Sequence, residues 1–467
     1  MSTLSVNLSN MLKKMLLQVY KVKEEGSFAR HVSVASSWNI FIVLAQFVLS
    51  PVITRLYSPS EYGIFALFNS IILNITLIGS LKYAESIVIA DSKDQRNNSV
   101  ALSFLLVCST SFLTLLGIYF FKTSILKFLA ASWLDGYLFI IPLSVFLAGI
   151  LDILLTINIR RKKFFSNGWS GFLINVLSRG FAIFYGILMP AKAIGLMGGD
   201  LVGKIAGLAG VLVSFRGLKT QIQRFWRSIS LLGMRMAAKT YSMFPVYVLP
   251  NAALTGLSGH LPIYFLQAEY NSTIVGAYAM ASSLLEIVNR LVPYSVSSVF
   301  LPKAIELKKN SAKELSDGVF KIYWIMLAGA AAIFSGFALL GRIIFPFVFG
   351  SSWVTAGFFV AILSIYYAFN FISISLIEVY KVLNRQRFSL ITTILSVILK
   401  VFALVYIVAF QMEIKNALLL FVLAGSIGSI IQILGIFIIL EAKIWKVGLS
   451  LSFLMILLVF LVRLFNF

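Results

Sequence analysis

Apolar residues run through this chain in long stretches that are separated by short polar breaks. A helix needs about 20 apolar residues to cross a bilayer core of roughly 30 Å. Twelve stretches are of this kind, at residues 32–54, 62–89, 98–121, 136–158, 169–189, 193–215, 243–267, 274–300, 318–340, 354–379, 388–410 and 416–440. A further candidate covers residues 447–465. The pattern predicts an all-α, polytopic membrane protein with twelve core transmembrane helices and one additional candidate helix.

One apolar module occurs twice in the chain, in the same direction. The segment Tyr57–Ala66 (YSPSEYGIFA) is repeated 213 residues later as Tyr270–Ala279 (YNSTIVGAYA), with its Tyr, Gly and Ala at the same spacing. The segment Phe128–Trp133 (FLAASW) is repeated as Phe347–Trp353 (FVFGSSW), with one more residue before the shared Ser-Trp. Transporters built from such repeats bind their cargo between the two halves. We therefore predict two six-helix lobes, related as parallel repeats, around a central cavity.

The repeats divide the chain into five segments. We predict a cytoplasmic amphipathic segment at 1–31, an N-terminal six-helix lobe at 32–215, a basic cytoplasmic linker at 216–242, a C-terminal six-helix lobe at 243–440 and a hydrophobic C-terminal segment at 441–467. The linker mixes arginines with Phe, Trp and Leu, which is typical of a helix lying on an anionic membrane surface.

Composition and charge support the membrane assignment and predict the orientation of the chain in the membrane. Hydrophobic residues make up 60% of the chain and charged residues 12%, which excludes an ordinary water-soluble domain. The loops of one side carry 27 Lys and Arg residues, and those of the other side carry six. This asymmetry predicts a cytoplasmic N-terminus and explains most of the net charge of +22 without a nucleic-acid partner.

Residues that build disulfides and metal sites are scarce. Cys108 is the one cysteine, so no intramolecular disulfide can form, and two histidines are too few for a metal cluster. We predict no cofactor.

Two of the repeated segments also resemble a known family. The segment Arg55–Leu67 (RLYSPSEYGIFAL) resembles the first hairpin of bacterial polysaccharide exporters, and Phe345–Trp353 (FPFVFGSSW) is similar to the turn before their tenth span. The chain thus resembles O-antigen and capsular polysaccharide flippases, the polysaccharide-transporter family of the multidrug/oligosaccharidyl-lipid/polysaccharide exporter superfamily.

This resemblance implies a MATE-like architecture whose central cavity opens alternately to each side, and a transporter rather than an enzyme. The implied cargo is an oligosaccharide repeat unit on undecaprenyl pyrophosphate, flipped from the cytoplasmic to the outer leaflet of the bacterial inner membrane for O-antigen or other surface polysaccharide. Implied partners are membrane lipids, the polysaccharide polymerase and the chain-length machinery.

Five cations lie within the predicted spans, where a charge is expected to face a cavity or a counter-ion. They are Lys82, Arg179, Lys204, Arg290 and Lys400. We interpret them as candidate substrate-binding residues, since Arg grips phosphate oxygens with a planar fork and Lys acts as a movable point charge. Three have an acid one helical turn away and would equally suit structural ion pairs, whereas Arg179 and Lys400 have none and are the stronger candidates.

Coupling to an ion gradient would need a carboxylate that changes its protonation or ion occupancy inside the membrane. The candidates are Glu85, Asp200 and Glu286, and none singles out a coupling ion.

Span seven contains an unusual number of helix breakers. Pro245, Pro250 and Pro262 each free a backbone carbonyl, which is usually met at a bend or beside a cavity. We predict that this span is a hinge, although a fixed kink would show the same residues.

Three other functions share part of this pattern. A multidrug-type cation antiporter of the same fold would call for acidic groups in its cavity, which Arg179 and Lys400 argue against. A membrane glycosyltransferase or polysaccharide polymerase would be expected to carry a large extracytoplasmic loop or a soluble catalytic region, and none is predicted. A flippase for another polyprenyl-linked cell-wall precursor fits the residues equally well.

Overall fold

The computed structural model describes residues 28–190, 192–215, 223, 225 and 228–466, and these residues form helices without any β-strand. Eleven helices of this described part are long and apolar enough to cross a membrane. Phe28–Leu56 and Leu249–Glu269 also have sufficient length, but their polar residues dilute the apolar character. Each of the thirteen predicted spans overlaps one of these helices, but the second span is interrupted, as described below.

The first six spans form the N-terminal half of the molecule. In chain order, α1 to α6 are Phe28–Leu56, Pro59–Gly79, Lys93–Phe128, Ile140–Arg160, Phe164–Leu188 and Ala193–Leu212. Among them α5 and α6 pack most extensively, because glycines on α6 admit the backbone and side chains of α5.

The second half follows a short linker helix, α7, at Leu231–Thr240. In chain order, α8 to α14 are Leu249–Glu269, Ser272–Asn310, Ala312–Phe349, Val354–Leu376, Gln386–Ala409, Ile414–Ile439 and Ile444–Asn466. Most of α11 is buried, since α9, α10, α13 and α14 surround it.

The second span is broken, so the prediction of one helix over 62–89 is wrong. Helix α2 ends at Gly79, and Leu81 and Lys82 then take left-handed backbone angles, with φ of 47° and 64°. One 3-10 turn and one helical turn complete the span. Non-glycine residues in this region interrupt the helical hydrogen-bond ladder, and here the break lets Lys82 pair with Glu85 at 3.2 Å.

The repeated tyrosine motif has the same structural role in both halves. Ser58 caps the start of α2 through a capping box with Glu61, and Asn271, 213 residues later, caps α9. The preceding tyrosines each donate a hydrogen bond to a backbone carbonyl of their own half, Tyr57 at 2.7 Å and Tyr270 at 2.8 Å. The motif therefore fixes the turn between two consecutive helices in each half.

The predicted thirteenth helix is α14, which packs on the outside of the second half against α10 and α11. The hydroxyl of Tyr323 on α10 lies 2.6 Å from that of Ser450. One face of α14 is buried, at Val447, Leu451, Leu454, Leu458 and Val462. This burial makes α14 an integral part of the second half.

The linker helix α7 packs on the start of α3. Asn98 accepts a hydrogen bond from the Ser230 backbone at 3.1 Å, and a Cβ on Gly233 would collide with the Asn98 amide. The opposite side of α7 exposes Leu231 and Leu232, which are 80% and 67% accessible. Exposed leucines beside basic residues suit the predicted contact with a membrane surface.

Candidate substrate cavity

The two halves meet where the repeated motifs cross. The Tyr57 face is defined here as the side with the Tyr57 and Tyr270 turns, and the basic face as the side with Arg160–Lys163. Near the Tyr57 face, a Cβ on Gly63 would lie 1.8 Å from the Ser272 carbonyl oxygen, and one on Gly276 would lie 1.8 Å from the Pro59 carbonyl oxygen. These contacts are reciprocal at the repeat offset, so α2 and α9 cross about a pseudo-two-fold axis.

Trp353 reinforces this junction from the second half. Its indole Nε1 donates to the Thr54 carbonyl oxygen of α1 at 2.8 Å, and its ring packs edge-on against Tyr62 at 5.6 Å. Trp353 is fully buried. Backbone contact at the glycines and this buried indole hold the two halves together near the Tyr57 face.

Beneath the junction lies a cavity of about 300 Å³. It is enclosed mainly by α1, α2, α5 and α6, with Met280 of α9 as the contribution of the second half. Its polar wall consists of Ser50, Thr54, Asn69, Asn175 and Ser178, together with the charged residues Arg179 and Asp200. Amides, hydroxyls and two opposite charges thus line one cavity.

Arg179 is positioned by its own helix. Its guanidinium donates to the Asn175 Oδ1 at 2.9 Å and contacts the Asn175 carbonyl oxygen at 3.3 Å, one turn earlier on α5. Gln46 of α1 donates to the same Oδ1 at 2.7 Å. Within the described part of the chain, no carboxylate forms a salt bridge with Arg179. Its positive charge is therefore held by neutral groups.

Asp200 of the same wall is already paired. Its carboxylate forms a very short contact with Lys204, one turn later on α6, and both side chains are largely buried. This confirms the predicted ion pair. Because the pair is neutral as a unit, Arg179 leaves the cavity with a net positive charge.

Lys400 occupies the corresponding place in the second half but has a different neighbour. Its ammonium lies 4.9 Å from the centre of the Tyr366 ring and 3.4 Å from the Tyr366 hydroxyl. The side chain is 9% accessible. The structure thus places Lys400 within the second lobe, apart from the cavity that Arg179 lines.

Glu286 and Arg290 lie on α9, in a more open position. They form the predicted ion pair at 2.9 Å, and their side chains are 51% and 69% accessible. Tyr278 and Tyr367 lie within electrostatic range of Glu286. The structure does not bring Arg290 to Arg179, so the candidate cations form separate groups.

Lys82 and Glu85 form a further group, toward the basic face. They flank the break after α2, and Asp152 of α4 lies within electrostatic range of both. The Lys82–Glu85 ion pair was expected from the spacing of the two residues. The left-handed turn at Leu81 and Lys82 was not expected.

The proline-rich span adopts two kinds of helix. Pro245 lies in a π-helical turn at Phe244–Val248, Pro250 is in the first turn of α8, and Pro262 is inside α8. A π-helical turn at the base of a proline-containing helix is a natural place for bending.

Several residues of this region were not among the predicted site residues. Asn175 and Tyr62 line the cavity, and His260 contacts Asn74 across the two halves. The one available sequence signal was the spacing of Asn175 and Arg179, which places both on one helix face. Nothing in the sequence indicated that Tyr62 and Trp353 would meet.

Comparison with known proteins now adds to this geometry. The model of a family described as polysaccharide biosynthesis proteins matches residues 52–357. The chain belongs to this family. None of the curated proteins matches the chain significantly.

Solved structures of similar fold are transporters. The lipid II flippase MurJ in an inward closed conformation has a TM-score of 0.63, at 16% identity over 91% of this chain and 98% of that one. An inward-facing multidrug resistance MATE transporter has a TM-score of 0.64, at 14% identity over 94% and 98%. A transporter of the same superfamily from Pyrococcus furiosus, described as having a binding pocket of reversed polarity, has a TM-score of 0.54, at 13% identity over 91% and 96%.

At such identities the likeness concerns the fold, and it confirms the predicted MATE-like architecture. Together with the family match and the eleven apolar helices of the described residues, it identifies a multi-pass membrane protein of the polysaccharide biosynthesis family. The expected membership of a polysaccharide-related family is thereby confirmed.

Proposed function

We propose that this protein flips undecaprenyl-pyrophosphate-linked oligosaccharide repeat units from the cytoplasmic to the outer leaflet of a bacterial inner membrane. The basic face would be cytoplasmic, as its Lys and Arg content predicts. The polymerase and chain-length machinery that would use the flipped units are proposed partners.

The cationic cavity is the observation that supports this proposal. The lipid tail of such a substrate can remain in the bilayer, whereas its pyrophosphate and sugars must cross a medium of low dielectric constant. Burying an isolated ion costs many kcal/mol, so a carrier has to supply charge and hydrogen bonds. Arg179 supplies a positive charge without a carboxylate partner, and Asn69, Asn175 and Ser178 supply groups that suit sugar hydroxyls.

Release of the cargo would require the junction at the Tyr57 face to open. At present the two halves are in contact there, through the Gly63–Gly276 crossing and the Trp353 bond to Thr54. Bending of the proline-rich α8 and its π-helical turn would let the second half rotate away from the first. Pro245, Pro250 and Pro262 remain the proposed hinge.

The other cations have proposed supporting roles. Arg290 is exposed on α9. It could bind the anionic head group once its ion pair with Glu286 is broken. Lys82 could attract the head group near the basic face. Lys400 and Lys204, both buried and partnered, are proposed to bind only after rearrangement.

The chemistry of the cavity separates this proposal from its rivals. An exporter of organic cations would need an available carboxylate, yet Asp200 is neutralised by Lys204 and Arg179 adds a positive charge. A flippase for another polyprenyl-linked precursor would use the same cavity, and its sugar identity would have to be tested directly.

The test is surface polysaccharide in a strain that lacks the gene and is complemented with variants. Arg179→Ala should abolish polymer and cause lipid-linked repeat units to accumulate at the cytoplasmic leaflet, while Arg179→Lys should retain part of the activity. Arg463→Ala is the matched control, because Arg463 is exposed near the end of α14.

Membrane expression is measured for every variant. Normal polymer in the gene-deleted strain would overturn the proposed function. Full activity of Arg179→Ala would instead remove Arg179 from the substrate site.

A further inference from the structure

One amide joins the two halves deep within the membrane. Asn74 of α2 donates from its Nδ2 to the Tyr264 hydroxyl of α8 at 2.8 Å, and its Oδ1 lies 3.2 Å from the Nδ1 of His260, also on α8. Next to this bridge, Leu77 of α2 fills the space beside Gly256 of α8. We call this contact the α2–α8 seam.

The tautomer of His260 follows from its second contact. Its Nδ1 lies 2.9 Å from the Gly256 carbonyl oxygen, which can only accept a hydrogen bond. Nδ1 therefore carries the hydrogen and shares it between Gly256 and Asn74. No described residue forms a hydrogen bond with Nε2, so its lone pair can accept a proton. Histidine is the side chain that ordinarily titrates near physiological pH.

We propose that His260 is a proton-binding site through which this transporter is coupled to protons. A proton passes from hydronium to the Nε2 lone pair, so that one O–H bond breaks, one N–H bond forms, a water molecule is released and the ring gains one positive charge. The bound charge weakens the α2–α8 seam. The coupling to transport rests on the proposed function, whereas proton binding and seam opening do not.

Two effects of the charge on the seam oppose each other. A charged ring is a stronger donor to Asn74, but the bond is long and shared, so the gain is small. Packing α2 against the half-buried ring removes water from the ion, and the free-energy cost of this dehydration is large. Dehydration is the larger effect, so protonation favours separation of α2 from α8.

Other ionisable groups around His260 do not reverse this sign. Glu286 of α9 is within electrostatic range of the ring, but it is paired with Arg290. Glu286 and Arg290 belong to the same half as His260. Their electrostatic effect on the His260 ring is therefore the same whether the α2–α8 seam is open or closed. Tyr264 shares the helix of His260, and Lys400 of α12 is directed at Tyr366.

From the first half, the described contacts of this region come from Asn74 and Leu77, neither of which titrates. The π-helical turn before α8 offers only Tyr247, which is 75% accessible. The imidazole is therefore the titrating group at the seam itself.

Nuclear magnetic resonance can observe this proton directly, because the chain contains only His31 and His260. The full-length protein is labelled with 15N-histidine, carries His31→Asn and is placed in lipid nanodiscs. We expect one ring signal with hydrogen on Nδ1 at high pH, converting to the doubly protonated form as the pH is lowered to 5. A ring that carries its hydrogen on Nε2, or that stays neutral at pH 5, would overturn the proposal.

Seam opening is measured by electron paramagnetic resonance distances in the same nanodiscs. Spin labels are attached at Ile78→Cys of α2 and Asn251→Cys of α8 in a Cys108→Ser background; both label positions are exposed. We expect a longer-distance population at low pH, with a ratio that changes by at most about tenfold per pH unit, the limit for one proton.

His260→Asn keeps an amide donor near the Nδ1 position and cannot titrate, so its distances should be independent of pH. His31→Asn is the matched control and should retain the wild-type response. An unchanged pH response in His260→Asn would refute the role of His260.

Coupling to transport is tested with undecaprenyl-pyrophosphate-linked oligosaccharide in proteoliposomes under an imposed pH gradient. We expect the gradient to accelerate flipping by the wild type but not by His260→Asn, and equal acceleration of both would exclude coupling through His260. If no flipping occurs with either protein, the proposed function fails, while the resonance and distance measurements still decide the proton site.

Discussion

The Gly63–Gly276 crossing allows a quantitative prediction. Replacing Gly276 by Ala would place a Cβ 1.8 Å from the Pro59 carbonyl oxygen and 2.8 Å from the Gly63 backbone nitrogen. Both neighbours are backbone atoms, which cannot rotate away. An ordinary contact requires about 3.4 Å, so α2 and α9 must separate by roughly 1.5 Å at this point.

Overpacking of this kind costs about 1 to 3 kcal/mol. If the strain is relieved by opening at the Tyr57 face, the ratio of open to closed molecules should rise about 5- to 150-fold. Gly63→Ala should have a similar effect, because its contact with the Ser272 carbonyl oxygen is equivalent by the repeat.

The assay is modification of a cavity cysteine, Ser178→Cys in a Cys108→Ser background, by a membrane-impermeant maleimide applied to whole cells. The Tyr57 face is predicted to be outward, so Gly276→Ala should label faster than its parent. Gly336→Ala is the control, since a Cβ there meets no atom within 4 Å. Equal labelling rates of Gly276→Ala and Gly336→Ala, in folded protein, would refute the inference that a Cβ at residue 276 separates α2 from α9.

Two further changes have definite expected results. Trp353→Phe removes the bond to the Thr54 carbonyl oxygen and should weaken closure at the Tyr57 face by about 1 to 2 kcal/mol, seen as faster cavity labelling in the same assay; unchanged labelling would count against it. Lys204→Met leaves the Asp200 carboxylate without its partner and should destabilise the fold by about 3 to 5 kcal/mol, measured as a lower melting temperature in detergent. Adding Asp200→Asn should restore much of that loss, and a double variant as unstable as the single one would contradict the pairing argument.

The local features of the fold were predictable because their causes are local. Each span was visible as an apolar run, and the Glu286–Arg290 and Asp200–Lys204 pairs followed from helical spacing. The additional C-terminal helix was also predicted, and α14 confirms it by length, composition and burial.

The break after α2 was missed for an equally physical reason. Lys82 and Glu85 are the only charged residues between Gly79 and Ala90, too few to end the hydrophobic run, and hydropathy does not report backbone angles. The left-handed Leu81 and Lys82 are stabilised by packing around the break, including the pair with Glu85. Such tertiary support overrides local helix propensity.

The site was predicted in part. Arg179 was chosen because it lacked an acid within one turn, and the structure places it in a cavity with amide partners. Lys400 was chosen for the same reason, but its partner is the Tyr366 ring on another helix. Spacing along one helix can identify intrahelical partners, but it contains no information about a ring that arrives from elsewhere.

The amino-acid sequence sufficed for the all-α membrane fold, the intrahelical ion pairs and the family, because hydrophobic length and helical periodicity act over a few turns. Only the tertiary structure decided that Gly63 crosses Gly276, that Trp353 reaches Thr54 and that His260 meets Asn74. These contacts join residues about 190 to 300 positions apart in the sequence. They form when the two halves pack against each other. Whether the two surfaces are complementary cannot be read from the sequence of either segment alone.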